Sequence, residues 1–308
     1  MNISIGHYTD QVSKTGCTVF VFKRAARIGI DIRGSNTATF NTPAYDTKAS
    51  DDSVHAIVLT GGSTYGLESV FGVLEYLEEH KIGYKTRAAL VPSVTGAVIY
   101  DLAEGSSSVR PNKMAGYIAA SDSVMENPLL GNIGVGTGAT TGKWMLGKKQ
   151  KGGFSMAEAH LPSGVAVRAY VVTNAVGDII SDTSELTKKR ADFKALLEFP
   201  KRLSGTISVE RLHALDLGTR HENTTLAVIA TNADLGKGEL QKVAELAHDG
   251  MARSIYPVHT NMDGDVIFAV SVGPRIQTGG LSKASLVDFV GMAAADVLSE
   301  AIEKSISY

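Results

Sequence analysis

Cysteine is nearly missing from this chain. Cys17 is the single one among 308 residues, so an intramolecular disulfide and a cysteine-built zinc site are both excluded. It lies in an apolar run, where a thiol acts as an inert small hydrophobe. Neither sign of charge is in excess: 30 lysines and arginines against 32 acidic residues leave a net charge of −2. That balance offers no footprint for nucleic acid or an anionic membrane surface. No apolar run reaches the ~20 residues that a membrane span requires. The first residues lack the basic segment and long apolar segment of a signal peptide, so the expected location is the cytoplasm. Glycine, by contrast, is abundant at 32 residues, which implies tight turns and close backbone approaches. With 44% apolar and 20% charged residues, the composition is that of a globular protein able to bury one large core or two small ones.

The stretch Asn223-Thr224-Thr225-Leu226-Ala227-Val228-Ile229-Ala230 combines a buried-strand signal with two hydroxyl residues at its entrance. If the chain were cut before Thr224, that residue would carry a free α-amine beside its hydroxyl. The amine can then act as base for its own hydroxyl, which is the N-terminal-threonine form of nucleophilic catalysis. Taken alone, the same stretch reads first as a threonine-rich strand with no chemistry.

Other elements follow in order. Residues 17–22 and 28–33 predict two strands joined by a turn at 23–27. Ala56–Thr60 predicts a buried strand closed by Gly61-Gly62-Ser63, and Leu67, Val70, Phe71, Leu74 and Leu77 predict a helix over 64–80. Ala97–Leu102 reads as a strand ending in a Tyr100-Asp101 pair, and 113–120 as a short helix. A strand from Val165 to Val172 runs into Asn174, whose amide either makes a turn or donates to an oxyanion. The charged, weakly periodic stretch 182–222 predicts a mobile linker. Helices follow from about 240 to 250 and over 283–303, with a strand at 266–272 between them. The Asp263-Gly264-Asp265 turn precedes that strand, and its two carboxylates are too few for an EF-hand calcium loop.

The densest glycine stretch, Gly134 to Trp144, has to be tested for nucleotide binding. A P-loop fails, because Thr137 stands where a glycine is needed and Trp144 where Ser or Thr must follow the lysine. Gly134, Gly136 and Ala139 meet the dinucleotide spacing without the strand and helix that give it meaning. What remains is a glycine-rich loop that would place Lys143 in a cleft. Ser63 lacks the spacing of a hydrolase nucleophile elbow. His7, His55 and His259 stand singly and read as structural histidines.

Taken together, six motifs resemble one family. They are Gly61-Gly62-Ser63-x-Tyr65-Gly66-Leu67-Glu68, Ala97-Val98-Ile99-Tyr100-Asp101, Gly136-x-Gly138-Ala139-x-x-Gly142-Lys143, Asn174-x-x-Gly177, Asn223-Thr224-Thr225 and His259-Thr260-x-Met262-Asp263-Gly264-Asp265. In this order they resemble the self-processing amidases of the S58 type. That family includes the L-aminopeptidase/D-alanyl esterase-amidases, the β-peptidyl aminopeptidases and the nylon-oligomer hydrolases. The nylon-oligomer branch shares the Asn-Thr-Thr and Asp-Gly-Asp forms; the better-known aminopeptidases carry Ser at the nucleophile and at the first carboxylate. Substrate range therefore does not transfer from them.

The resemblance implies a four-layer αββα sandwich, mixed α/β and N-terminal-nucleophile-like. It implies one domain over 1–308, cut by itself into 1–223 and 224–308. Thr224 is then the nucleophile and Asn223–Thr224 the cleaved bond. Lys143, Asn174, Asp263, Asp265 and Tyr100 match active-site positions. Lys143 would favour the neutral amine, Asn174 would donate to the oxyanion, and the two aspartates would position Thr224. Tyr100 would hydrogen-bond the substrate or the oxyanion. Glu68, Asp263 and Asp265 are the motif-placed carboxylates that could meet a substrate ammonium. The expected substrates are short peptides or linear β- or ω-amino acid oligomers, with no cofactor and no metal. The expected assembly is a homo-oligomer, a tetramer built from dimers. Two other readings stay open: an N-terminal-threonine acyltransferase, and a non-catalytic binding protein on the same fold.

Overall fold

Strands buried on both faces need no alternation of polar and apolar residues. This accounts for the continuous apolar runs at 56–59, 226–230 and 266–270. The computed structural model describes residues 1–125, 128–144, 149–161, 164–202, 223–277 and 280–308. Its main strands are β1 (Ser4–Asp10), β2 (Thr15–Ile32), β3 (Ser53–Thr60), β4 (Val94–Val98), β5 (Phe154–His160), β6 (Ala166–Asn174), β7 (Thr224–Ala233) and β8 (Val266–Ile276). Its helices are α1 (Ser69–Glu79), α2 (Lys113–Ser121), α3 (Thr183–Arg202), α4 (Lys237–Ser254) and α5 (Lys283–Lys304).

One hydrogen-bonded path runs β5-β6-β7-β8-β2-β3-β4, with β1 added on β2. The β7–β8 and β3–β4 pairs are parallel, and the other pairs on this path are antiparallel. Alternate residues divide the strands between three cores. Leu226 and Val228 of β7, Val266 and Phe268 of β8, Phe20 of β2 and Leu59 of β3 share a central core. Ala227 and Ile229 of β7 and Ile267 of β8 face the opposite way, onto Leu240 and Ala247 of α4 and Leu298 of α5. Cys17 and Val19 of β2 and Val58 of β3 pack against Val70 and Val73 of α1 and Ala119 of α2. The layers are therefore helix, sheet, sheet and helix, the expected αββα order. No helix among the described residues is long and apolar enough to cross a membrane.

Strand β2 links the two sheets. It pairs with β1 over Thr15–Val21 and with β8 over Arg27–Ile32. Its register on β3 breaks between Val21 and Ala26. The expected turn at 23–27 is therefore a bulge: exposed Lys23 and Arg24 reach solvent there while the strand continues. The expected linker is also corrected over its first half, because Thr183–Arg202 form helix α3. Asp182 caps that helix, accepting from the Glu185 N–H at 2.9 Å and from the Ser184 hydroxyl at 2.5 Å. The rest of that stretch, 203–222, lies outside the described residues. The helix expected over 64–80 opens as a 3-10 turn, Ser63–Glu68, ahead of α1. The strand expected over 97–102 ends at Val98, leaving Tyr100 and Asp101 just beyond it.

Candidate active site

Strand register gathers the motifs. The end of β6 meets the start of β7, pairing Asn174 with Thr224 and Thr173 with Thr225. Because β8 runs parallel to β7, its entrance lies at the same end, with a bridge between Asn223 and Asp263. Asn174, Thr224 and the Asp-Gly-Asp turn are therefore neighbours, though they stand far apart in the chain.

Asn223 and Thr224 are buried, at 3% and 5% exposure. The Thr224 hydroxyl donates to the carbonyl oxygen of Asn223 at 2.5 Å. The N–H of Gly264 donates to that same oxygen at 2.9 Å. The carbonyl of the 223–224 bond thus has two donors on it, one of them the neighbouring hydroxyl.

Asp263 and Asp265 flank Gly264 and are both fully enclosed. Asp263 accepts from the Thr260 N–H at 3.0 Å, the Thr260 hydroxyl at 2.7 Å and the Val176 N–H at 3.3 Å. Burial first, and the neighbouring Asp265 second, push its carboxyl up to about 6. One oxygen of Asp265 accepts from the Thr225 N–H at 2.7 Å. The other meets His259 Nδ1 at 2.7 Å and the His259 N–H at 3.3 Å. Asp265 thus holds the backbone N–H that follows Thr224, while Asp263 ties the Thr260 turn to the exit of β6.

Lys143 Nζ donates to Asn174 Oδ1 at 3.1 Å and to the Asn174 carbonyl at 3.3 Å. Its backbone is stitched to the exit of β6, with the Lys143 N–H on the Val176 carbonyl. Asn174 Oδ1 also accepts from the Thr140 N–H at 3.0 Å, and its Nδ2 donates to the Tyr100 carbonyl at 3.1 Å. Tyr100 therefore joins the cluster through its backbone. Glu68 does not join it. It is exposed at the end of its 3-10 turn, where its carboxylate accepts from the Lys113 N–H at 3.3 Å.

The sequence model of peptidase family S58 matches residues 1–308. The chain belongs to peptidase family S58. It is accordingly a hydrolase. An uncharacterized aminopeptidase of Mycobacterium leprae (strain TN) is 34% identical over 326 residues, covering 97% of this S58 chain and 86% of the relative. A 6-aminohexanoate-oligomer endohydrolase of Kocuria sp. (strain KY2) is 33% identical over 271 residues, covering 87% and 72%. Among solved structures, a beta-aminopeptidase of Burkholderia sp. superposes with a TM-score of 0.68 at 17% identity, covering 98% of this chain and 83% of that one. The L-aminopeptidase D-Ala-esterase/amidase of Ochrobactrum anthropi, described as a variant of the Ntn hydrolase fold, gives 0.68 at 17%, covering 99% and 84%. The fold of this S58 enzyme is thus that of Ntn-type aminopeptidases.

Two residues of this S58 enzyme acquire a place at the site that sequence reasoning did not give them. His259 reads as an isolated histidine, yet it is bonded to Asp265 and its ring lies 4.8 Å from the His248 ring. The signal was its six-residue spacing from Asp265 across one turn. Asp101 is buried, accepting from the Gly62 N–H and the Thr15 hydroxyl, each at 2.7 Å. Burial pushes it up to about 6. A Cβ on Gly61 would lie 2.0 Å from its Oδ2, and one on Gly138 would lie 2.7 Å from its Cβ. Those glycines make room for a carboxyl next to Tyr100, which explains glycine-rich loops that hold no nucleotide signature.

Proposed function

We propose that this S58 enzyme cuts its own chain between Asn223 and Thr224, then uses the new N-terminal Thr224 to hydrolyse short linear amides. The observation that supports this is the Thr224 hydroxyl 2.5 Å from the Asn223 carbonyl oxygen, on the bond that must break. In the first reaction Thr224 Oγ adds to the Asn223 carbonyl carbon and its proton passes to the leaving nitrogen. The C–N bond breaks, leaving an ester and a free amine. Water then hydrolyses the ester, giving the Asn223 carboxylic acid and restoring the hydroxyl.

In the second reaction the Thr224 amine, with an ordinary pKa of roughly 7.7–8.0, takes the hydroxyl proton as Oγ attacks a substrate amide. An acyl-enzyme forms, the amine product leaves, and water clears the ester. Lys143 adds positive charge beside Asn174, which favours the neutral amine. Asn174 donates to the substrate oxyanion, and Tyr100 lines the same edge. Asp263 and Asp265 hold the strand entrance and supply carboxylate charge for a substrate ammonium; Glu68 serves only if the substrate extends to the surface. The names of the two relatives share amides between linear amino-acid units, so short peptides and β- or ω-amino acid oligomers with a free amine are the proposed substrates. We place the enzyme in the cytoplasm as a tetramer built from dimers, each chain one domain in two pieces.

An intact-mass spectrum of purified protein tests the central step. The expected result is two pieces of 223 and 85 residues. Thr224→Ala is expected to remain one chain and to hydrolyse no amide. A cut at another bond, or full activity in an uncut chain, overturns the assignment.

A further inference from the structure

The donor that activates the 223–224 carbonyl need not be the donor that serves a substrate. Asn174 directs an amide N–H to the Tyr100 carbonyl, while its oxygen accepts from Thr140 and Lys143. Beside the Thr224 hydroxyl, the N–H of Gly264 donates to the Asn223 carbonyl oxygen, at 2.9 Å. We propose that the Gly264 N–H is the oxyanion donor for cleavage of the 223–224 bond. This rests on the reading that the chain cuts itself there.

Three further observations support it. First, the donor is held before any reaction. Asp263 and Asp265 on either side are enclosed and bonded, and their carbonyls accept from the Asn36 N–H at 3.0 Å and the Arg33 N–H at 3.1 Å. A donor fixed in advance needs no reorganisation as charge develops on the oxygen. Second, only glycine leaves room for the nucleophile. A Cβ at position 264 would lie 2.7 Å from Thr224 Oγ and 2.6 Å from the Asn36 carbonyl. The hydroxyl therefore occupies space that any side chain would take. Third, donor and nucleophile converge on one carbonyl, the Gly264 N–H and Thr224 Oγ both within hydrogen-bond distance of its oxygen. As Oγ bonds to the carbonyl carbon, the π electrons move to that oxygen and the Gly264 N–H takes the charge. When the C–N bond breaks, the electrons return to re-form the carbonyl of the ester. The Asp-Gly-Asp motif then has a single logic: two carboxylates hold a loop whose middle N–H does the electrostatic work.

The test replaces Gly264 by glycolic acid through nonsense suppression, turning its N–H into an ester oxygen with little change in shape. Cleavage is followed by intact mass after release from low temperature. Loss of one oxyanion donor is expected to slow cleavage on the order of 100-fold or more. The ester also weakens the Asp263 carbonyl that accepts from Asn36, so a matched ester at position 36 is the control and is expected to cut at close to the wild-type rate. If the 264 ester cuts as fast as wild type, or if both esters slow equally, the proposal fails while self-cleavage stands. If wild-type protein is not cut between Asn223 and Thr224, the cleavage reading itself fails. Should the 264 ester not fold, the crystal structure of Thr224→Ala decides: a Gly264 N–H turned away from the Asn223 carbonyl overturns the proposal, and a bond near 2.9 Å upholds it.

Discussion

At the scale of single residues, the neighbours of the two aspartates are what decide their behaviour. From sequence alone, Asp263→Asn and Asp265→Asn look like substitutions that remove charge and keep shape. In the fold each carboxylate faces three donors or more, counting backbone N–H groups, the Thr260 hydroxyl and His259. An asparagine amide would therefore set N–H against N–H at one of them. His259 is the most informative of these partners, because it sits at φ 55°, where asparagine is tolerated better than most residues. Asparagine can also offer a donor near the place of Nδ1. His259→Ala is expected to leave one bond to buried Asp265 unmade, costing about 1–3 kcal/mol, and to slow maturation by loosening the hold on Thr225. His259→Asn is expected to recover most of both. Urea midpoints and a mass-spectrometric time course measure the two effects. If both variants match wild type, the Asp265–His259 bond has no part in positioning Thr224, the proposed nucleophile.

At the scale of elements, legibility followed continuity of apolar sequence. Strands β3, β7 and β8 are buried on both faces and were readable as unbroken runs; so were α4 and α5, from apolar residues at helical spacing. Strand β2 was not, because Lys23 and Arg24 interrupt its pattern at the bulge where it changes sheets. Helix α3 was not, because its sequence carries no clear apolar stripe and residues 183–194 are largely exposed; its start depends on Asp182 and Glu185. Most candidate site residues could be named from motif order, but their partners could not. Asp101 and His259 owe their roles to loops that meet only in three dimensions. The packing of α4 on α5 is a further case. Gly250 sits inside α4, where helix propensity favours alanine by about 1 kcal/mol. A Cβ there would lie 2.2 Å from the Ala295 carbonyl of α5. Backbone cannot give way as a flexible side chain can, so the steric term wins. Gly250→Ala is expected to lower stability by about 1–3 kcal/mol, read as a lower thermal midpoint. Maturation and turnover at low temperature are expected to stay as in wild type, since α4 packs on the face of β7 away from the central core. An unchanged or raised midpoint would mean that the helices separate at no cost.

At the scale of the whole molecule, the position of the proposed cut decides what would hold the enzyme together after it. The piece from Thr224 to Tyr308 contains β7, β8, α4 and α5. Its two strands lie in the interior of the sheet path, with β6 on one side and β2 on the other, and both of those belong to the piece before the cut. Neither piece can therefore complete a sheet alone. The 85-residue piece would expose two strand edges, and the longer piece would lose the middle of its sheet. The cores are divided in the same way, since Tyr170 and Phe20 pack with Leu226 and Phe268 across the cut. Cleavage in the native state should thus release no piece. It does, however, change the thermodynamics of unfolding. The uncut chain unfolds to one molecule, whereas the cut one unfolds to two, so its stability becomes subject to mass action. Mature protein and Thr224→Ala can be compared by urea denaturation over a hundredfold range of concentration. The mature form is expected to show a midpoint that rises more steeply with concentration, and its pieces are expected to co-elute in native buffer and separate only in denaturant. Homo-oligomers would add the same dependence to both proteins, so the difference between them isolates the cut. Equal dependence in the two, or a free 85-residue piece in native buffer, would show that the strand pairs on either side of β7 and β8 do not bind the halves into one folding unit.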